Sequence, residues 1–126
     1  MTGFVYVVQN QHRLDRRTGT LIPKFDISPA KKYGELSFLL GPTASPFNAE
    51  PIVAELHEKL QHYSDDDYIM LIGNPCLIGW SVAIAADYNE GRVNLLQWNL
   101  KINDYIPVSA TLFGDCSEGG TANNVA

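Results

Sequence analysis

Tyr68-Ile69-Met70-Leu71-Ile72-Gly73-Asn74-Pro75 is the stretch whose reading decides the fold. Five apolar residues without polar alternation describe a strand buried on both faces, as the central strands of parallel sheets are. Gly73 ends the run, Asn74 suits a helix N-cap, and Pro75 suits the first helical position, where its missing N–H costs nothing. The helix predicted from Pro75 to Tyr88 is apolar nearly all round, so most of its sides need cover. Gly79, Ala83 and Ala86 form a small-residue surface on it, suited to close approach by a neighbour. Asn89-Glu90-Gly91 ends it as C-terminal glycines do.

Upstream, Ala49, Ile52, Val53, Leu56, Leu60 and Tyr63 recur at the 3–4 spacing of one apolar helical stripe. Asn48 is the expected N-cap, Glu50 and Pro51 fit the first turn, and Glu55 and Lys59 are in the favourable i,i+4 order. Glu35 to Leu40 reads as a strand stopped by Gly41-Pro42, and Phe4 to Gln9 as a strand interior to the sheet. Between these two strands, Asn10 to Lys32 is a long polar segment, with Arg17-Thr18-Gly19-Thr20 as a hairpin tip and short extended pieces after it. Downstream, Arg92 to Trp98 and Tyr105 to Phe113 make two strands joined by a turn. Pro107 cannot donate to a ladder and sends the last strand to an edge.

Strands alternating with helices predict an α/β fold: a small sheet with a parallel centre, two covering helices, right-handed crossovers and a C-terminal antiparallel hairpin. The expected organisation is one α/β domain over residues 1–113, containing the long basic loop 10–32, followed by a flexible polar tail over 114–126.

The chain has 126 residues, 45% of them hydrophobic, enough for a real core, which argues against disorder, collagen-like structure and a disulfide-stapled mini-protein. Cys76 and Cys116, forty residues apart, frame neither a disulfide scaffold nor a metal site. The N-terminus lacks the pattern of a signal peptide. The apolar stretch Pro75 to Ala86, broken by Ser81, falls well short of the roughly 20 residues of a membrane span. A reducing, membrane-free compartment is the expectation.

The formal charge of −5 conceals an asymmetry. Arg13, Arg16, Arg17, Lys24, Lys31 and Lys32 lie between positions 13 and 32 with only Asp15 and Asp26 as acids, so this window is 6 − 2 = +4. The remainder is 3 − 12 = −9. A basic segment on an acidic body serves either as a solvated loop, as a contact for an acidic protein or a second copy of the chain, or as a nucleic-acid contact.

Other candidates are weaker. Gly73, Asn74 and Cys76 stand where a central strand meets a helix N-terminus, the place in α/β sheets where anions and nucleotides bind, but without GxGxxG or GKS/GKT spacing. Cys76 is expected to be a buried small hydrophobe, not a reactive thiolate. His12, His57 and His62 lack metal-ligand spacing, and Asp65-Asp66-Asp67 reads as a solvated turn or an N-cap-like loop instead of a cation loop. Asp26 and Asp87 form an acid/base pair only if the fold unites them. Tyr33 or Phe25, beside the basic residues, could stack on bases.

The segments Asp67 to Pro75, Ile78-Gly79, Ala83 to Asn89, Gly91-Arg92-Val93 and Leu96-Gln97-Trp98-Asn99 resemble small proteins of unassigned function encoded by tailed bacteriophages. With Tyr33-Gly34-Glu35-Leu36 and Tyr105-Ile106-Pro107-Val108, the resemblance covers roughly residues 33–113. It implies a phage protein acting in the host cytoplasm and carries no catalytic residues or cofactor. The leading expectation is therefore a non-enzymatic accessory protein, a homodimer, that binds a host or phage macromolecule through the basic segment and an apolar face of the Pro75–Tyr88 helix. A nucleotide- or phosphate-binding domain, enzymatic or not, at Gly73-Asn74-Pro75 is the alternative. Nucleic-acid binding is a third class.

Overall fold

A computed structural model describes residues 3–24 and 26–114. Phe25, Cys116 and the 115–126 part of the expected tail lie outside the described residues. The main sheet contains β1 (Phe4–Gln9), β4 (Glu35–Leu40), β5 (Tyr68–Met70), β6 (Arg92–Asn99) and β7 (Asp104–Thr111), in the order β4-β1-β5-β6-β7. β1 pairs in parallel with both β4 and β5, β5 pairs in parallel with β6, and β6 and β7 form an antiparallel hairpin. The chain is thus an α/β protein with a parallel centre, and the Pro107 strand lies at the edge. β2 (His12–Leu14) and β3 (Leu21–Pro23) form a separate antiparallel hairpin.

Both predicted helices are present, α1 (Ala49–Leu60) and α2 (Pro75–Tyr88). They share one face of the sheet. There Ile52, Leu56 and Leu60 of α1 and Leu77, Ala85 and Ala86 of α2 pack on Tyr6, Val8, Leu39, Ile69 and Val93. Tyr63, past the end of α1, is buried with them. Burial pushes its phenol up to about 12, and the hydroxyl accepts a hydrogen bond from Asn94 N–H at 2.9 Å. Asn48 precedes α1 as expected, but its side chain makes no capping bond.

The opposite face is covered by an element that the sequence pattern does not announce. A 3₁₀ helix, Ser28–Tyr33, lies within the basic segment and packs on β1, β4 and β7. Ala30, fully buried, joins Val5, Val7, Met70, Leu96 and Tyr105 in a second core, flanked by Ile27 and Tyr33. The polar composition of residues 10–32 masks Ile27 and Ala30, which with Tyr33 just beyond make three apolar contacts spaced by three, the 3₁₀ period.

At the amino edge of the sheet, the predicted solvated turn proves to be structural. Asp67 is buried. Its Oδ1 accepts from Phe4 N–H and its Oδ2 from Ser64 N–H, both at 2.8 Å. Asp65 binds Arg92 and Asn89, and these contacts, Arg92 first, hold its carboxyl below the usual value. A methyl group on Gly3 would stand 2.3 Å from both Asp66 O and Asp67 Oδ1, so the chain enters β1 here only as glycine.

Asp67→Ala leaves two backbone donors without acceptors and should cost about 2–3 kcal/mol in urea unfolding. Asp67→Asn, which keeps one acceptor oxygen, should cost less. Equal and negligible losses for both would contradict the role of Asp67.

Candidate functional site at the carboxyl edge of the sheet

β1 and β5 are neighbours, yet the chain leaves them in opposite directions. From β1 it runs through the β2–β3 hairpin to the 3₁₀ helix on one face. From β5 it runs into α2 on the other. In open α/β sheets a crevice forms where the winding reverses in this way, outside the carboxyl ends of the strands.

Gln9, the polar last residue of β1, fastens this edge. Its Nε2 donates to Gly41 O at 3.2 Å and Ala44 O at 3.0 Å, in the loop after β4. Its Oε1 accepts from Asn74 N–H at 3.0 Å. Gly73 has φ +124°, and a methyl group there would meet Gln9 Cβ at 2.7 Å, so only glycine gives this close approach without strain. Asn74 is the expected N-cap: its Oδ1 accepts from Cys76 N–H at 2.8 Å. Pro75 has no N–H, so the first donors of α2 are absent or already engaged. Cys76 is exposed, not buried as its apolar neighbours suggested, because it lies on the side of α2 turned away from the sheet.

On the other side of the switch lies a cleft of about 700 Å³. Leu71, Ile72 and Gly73 line it from the end of β5, and Gln11 from beyond β1. Asp26 and Pro29 come from the 3₁₀ region, and Trp98, Leu100, Asn103 and Tyr105 from the β6–β7 hairpin. Trp98 and Tyr105 pack edge to face with centroids 5.0 Å apart. Trp98 keeps 39% of its surface exposed, whereas Tyr105 is buried. Asp26 Oδ1 accepts from Ser28 Oγ at 2.7 Å and Ser28 N–H at 3.0 Å, and these bonds hold its carboxyl below the ordinary value. Burial raises the Tyr105 phenol pKa, with Asp26 and Asp104 adding to the effect.

The six basic residues of the +4 window are divided between two structures. Arg13, Arg16 and Arg17 stand exposed on the hairpin, with Lys24 exposed at its base. Gly19, φ +74°, and Asp15 close the tip: Asp15 O accepts from Gly19 N–H at 2.7 Å, and Asp15 Oδ1 from Arg17 N–H at 3.0 Å. Lys31 and Lys32 belong to the 3₁₀ helix, where Lys32 pairs with Asp104 and lies 5.5 Å from the Tyr33 ring centroid. Tyr33 is half-buried in the second core.

Among the described residues no His, Cys, Asp and Glu cluster could hold a metal ion, and no helix is long and apolar enough to cross a membrane. His57 Nδ1 lies 2.9 Å from Tyr88 Oη, a bond between α1 and α2. Asp26 and Asp87 lie on opposite faces of the sheet and form no pair. Of the cleft residues, only Gly73 was a candidate ligand residue from sequence. Trp98 and Tyr105 face each other across one hairpin, but only the tertiary fold brings Asp26 to them, and Gln11 and Asn103 have no local signal at all.

The model of the Phage Pam3 gp32-like protein family matches residues 3–112. The chain belongs to that family. For this gp32-like chain the match begins at β1 and so includes the basic segment, which the resemblance over 33–113 did not reach. No curated protein and no solved structure matches it.

A depressed carboxyl pKa lends stability at pH values above its unfolded value, and that stability is lost as pH falls through the folded value. Ser28→Ala removes the hydroxyl bond to Asp26, so the Asp26 carboxyl should titrate closer to an ordinary aspartate in ¹³C NMR. An unchanged titration would show that the Ser28 hydroxyl does not hold this carboxylate.

Proposed function

We propose that this phage protein is a non-enzymatic accessory protein of the host cytoplasm that docks on an acidic protein surface, of host or phage, through the β2–β3 hairpin. The observation that supports this most is the pairing of Leu14 with Leu21 across the hairpin. Both leucines are exposed, 58% and 60%, on the same arm as Arg13, Arg16 and Arg17. A two-stranded hairpin is marginal by itself, and burying a leucine contributes about 1.5–3 kcal/mol. A protein partner would therefore gain twice: apolar contact from the leucines, and charge-assisted hydrogen bonds from arginines facing carboxylates. A phosphate backbone makes no use of a leucine pair, and the −9 charge of the remaining chain opposes nucleic acid.

Homodimerisation through α2 accompanies this reading. Cys76, Gly79 and Ala83 form an exposed stripe on α2, and nothing lies within 4 Å of a methyl group placed on Gly79, so a second helix has room to approach closely. Light scattering at micromolar concentration should give twice the chain mass; the monomer mass would remove the dimer.

The docking reading is tested by quantitative capture from phage-infected lysate. The baits are the whole chain, the triple variant Arg13→Glu, Arg16→Glu, Arg17→Glu, and the double variant Leu14→Ser, Leu21→Ser. Each variant should lose at least tenfold of the captured partner. Folding should be little altered, because exposed substitutions usually change stability by about 0.5 kcal/mol or less. Retention of the same partner by both variants would overturn the reading. Salt-dependent binding to duplex DNA that the arginine variant loses and the leucine variant keeps would assign the arm to nucleic acid instead.

A further inference from the structure

We propose that the cleft at the carboxyl edge is a binding site for a free small organic cation, an amine or amidinium group carried on a flat apolar body. The proposal is independent of the hairpin, which does not line the cleft. Its position is the first argument, since the reversal of winding between β1 and β5 puts a crevice at the place where α/β sheets take ligands. Its size is the second: about 700 Å³ falls in the range of small-molecule sites, and Pro29, Leu71, Ile72 and Leu100 supply the apolar wall typical of them.

The chemistry of the remaining wall selects the charge. Asp26 is the one carboxylate among the described residues that line the cleft, and no lysine, arginine or histidine is among them; Lys31 acts on Asp26 from outside it. Ser28 donates twice to one oxygen of Asp26, Oδ1, and thereby orients the carboxylate. Opposite charge is thus complemented and phosphate is not, in keeping with Pro75 and the engaged Asn74 and Cys76 groups at the start of α2. Trp98 and Tyr105 add the second element. Their edge-to-face contact fixes both rings, and the exposed surface of Trp98 offers a π system for stacking or for a cation. Gln11 and Asn103 supply amide donors and acceptors that orient the ligand.

The site therefore differs from the phosphate-binding arrangement expected at Gly73-Asn74-Pro75: it uses the same strand end but the opposite face, and the opposite sign of charge. The test is a ¹H–¹⁵N NMR titration of the whole chain with three probes of one shape: benzamidine, benzamide and benzoate. Benzamidine should give saturable shifts at Gln11, Gly73, Leu100, Asn103 and the Trp98 indole, with a millimolar or tighter Kd. Benzoate should bind at least tenfold more weakly, and benzamide should fall between. Asp26→Asn should weaken benzamidine at least fivefold while leaving benzamide unchanged, and Trp98→Ala should weaken both. Unperturbed Leu56 and Ala86 amides in the variants, in the core on the far face of the sheet, would confirm that the fold is intact. Benzoate binding as tightly as benzamidine, shifts that do not saturate by 10 mM or do not map to the cleft, or indifference of benzamidine to Asp26→Asn would each overturn the proposal.

Discussion

A parallel β-strand with neighbours on both sides buries both faces, and each face must then be covered by something apolar. This constraint on β1 organises the molecule. Val5 and Val7 point one way, Tyr6 and Val8 the other, and all four are buried. The described residues form two α-helices, and both lie over Tyr6 and Val8. Among the described residues no α-helix covers the face of Val5 and Val7. The cover comes from Ala30 and Tyr33 of a single 3₁₀ helix, with Ile27 just before it, in the most basic part of the sequence.

That arrangement also produces the cleft. Because the connection after β1 crosses one face and the connection after β5 crosses the other, a gap opens outside the strand ends at the carboxyl edge, while the ends themselves stay joined, Gln9 N–H donating to Ile72 O at 3.1 Å. Gln9 holds the helix side of that gap by bonding to the loops after β4 and β5. The roof side stays open between Asp26, Trp98 and Tyr105. The same connection carries the β2–β3 hairpin, whose exposed leucines and arginines take no part in either core. One segment thus serves two physical purposes, cover for the sheet and an arm beyond it.

The elements that depend on local pattern were legible in the sequence. The apolar run at Tyr68, the stripe through Ile52, Leu56 and Leu60, Asn74 before Pro75, and Pro107 at an edge each follow from period, capping or a missing donor. What escaped the sequence depends on contacts between distant parts of the chain, the pairing of polar groups first among them. Asp67 looks like one of three solvated aspartates until Phe4, sixty-three residues away, supplies its N–H. Gln9 looks like a strand end until Asn74 reaches it. Cys76 looks buried because its neighbours are apolar, but the orientation of α2 on the sheet turns it outward. The +4 window looked like one unit because charge is additive along a chain, whereas burial divides it between roof and arm.

The central claim is that part of the basic segment is core. Urea unfolding of Ala30→Asp tests it most directly. Ala30 is fully buried against Val5, Val7 and Met70, and an unpaired carboxylate placed there should cost about 3 kcal/mol or more. A loss of that size, or failure of the variant to fold cooperatively, is the predicted result. An unfolding midpoint unchanged from that of the unaltered chain would mean that residues 27–33 lie free of the sheet, and would contradict the account.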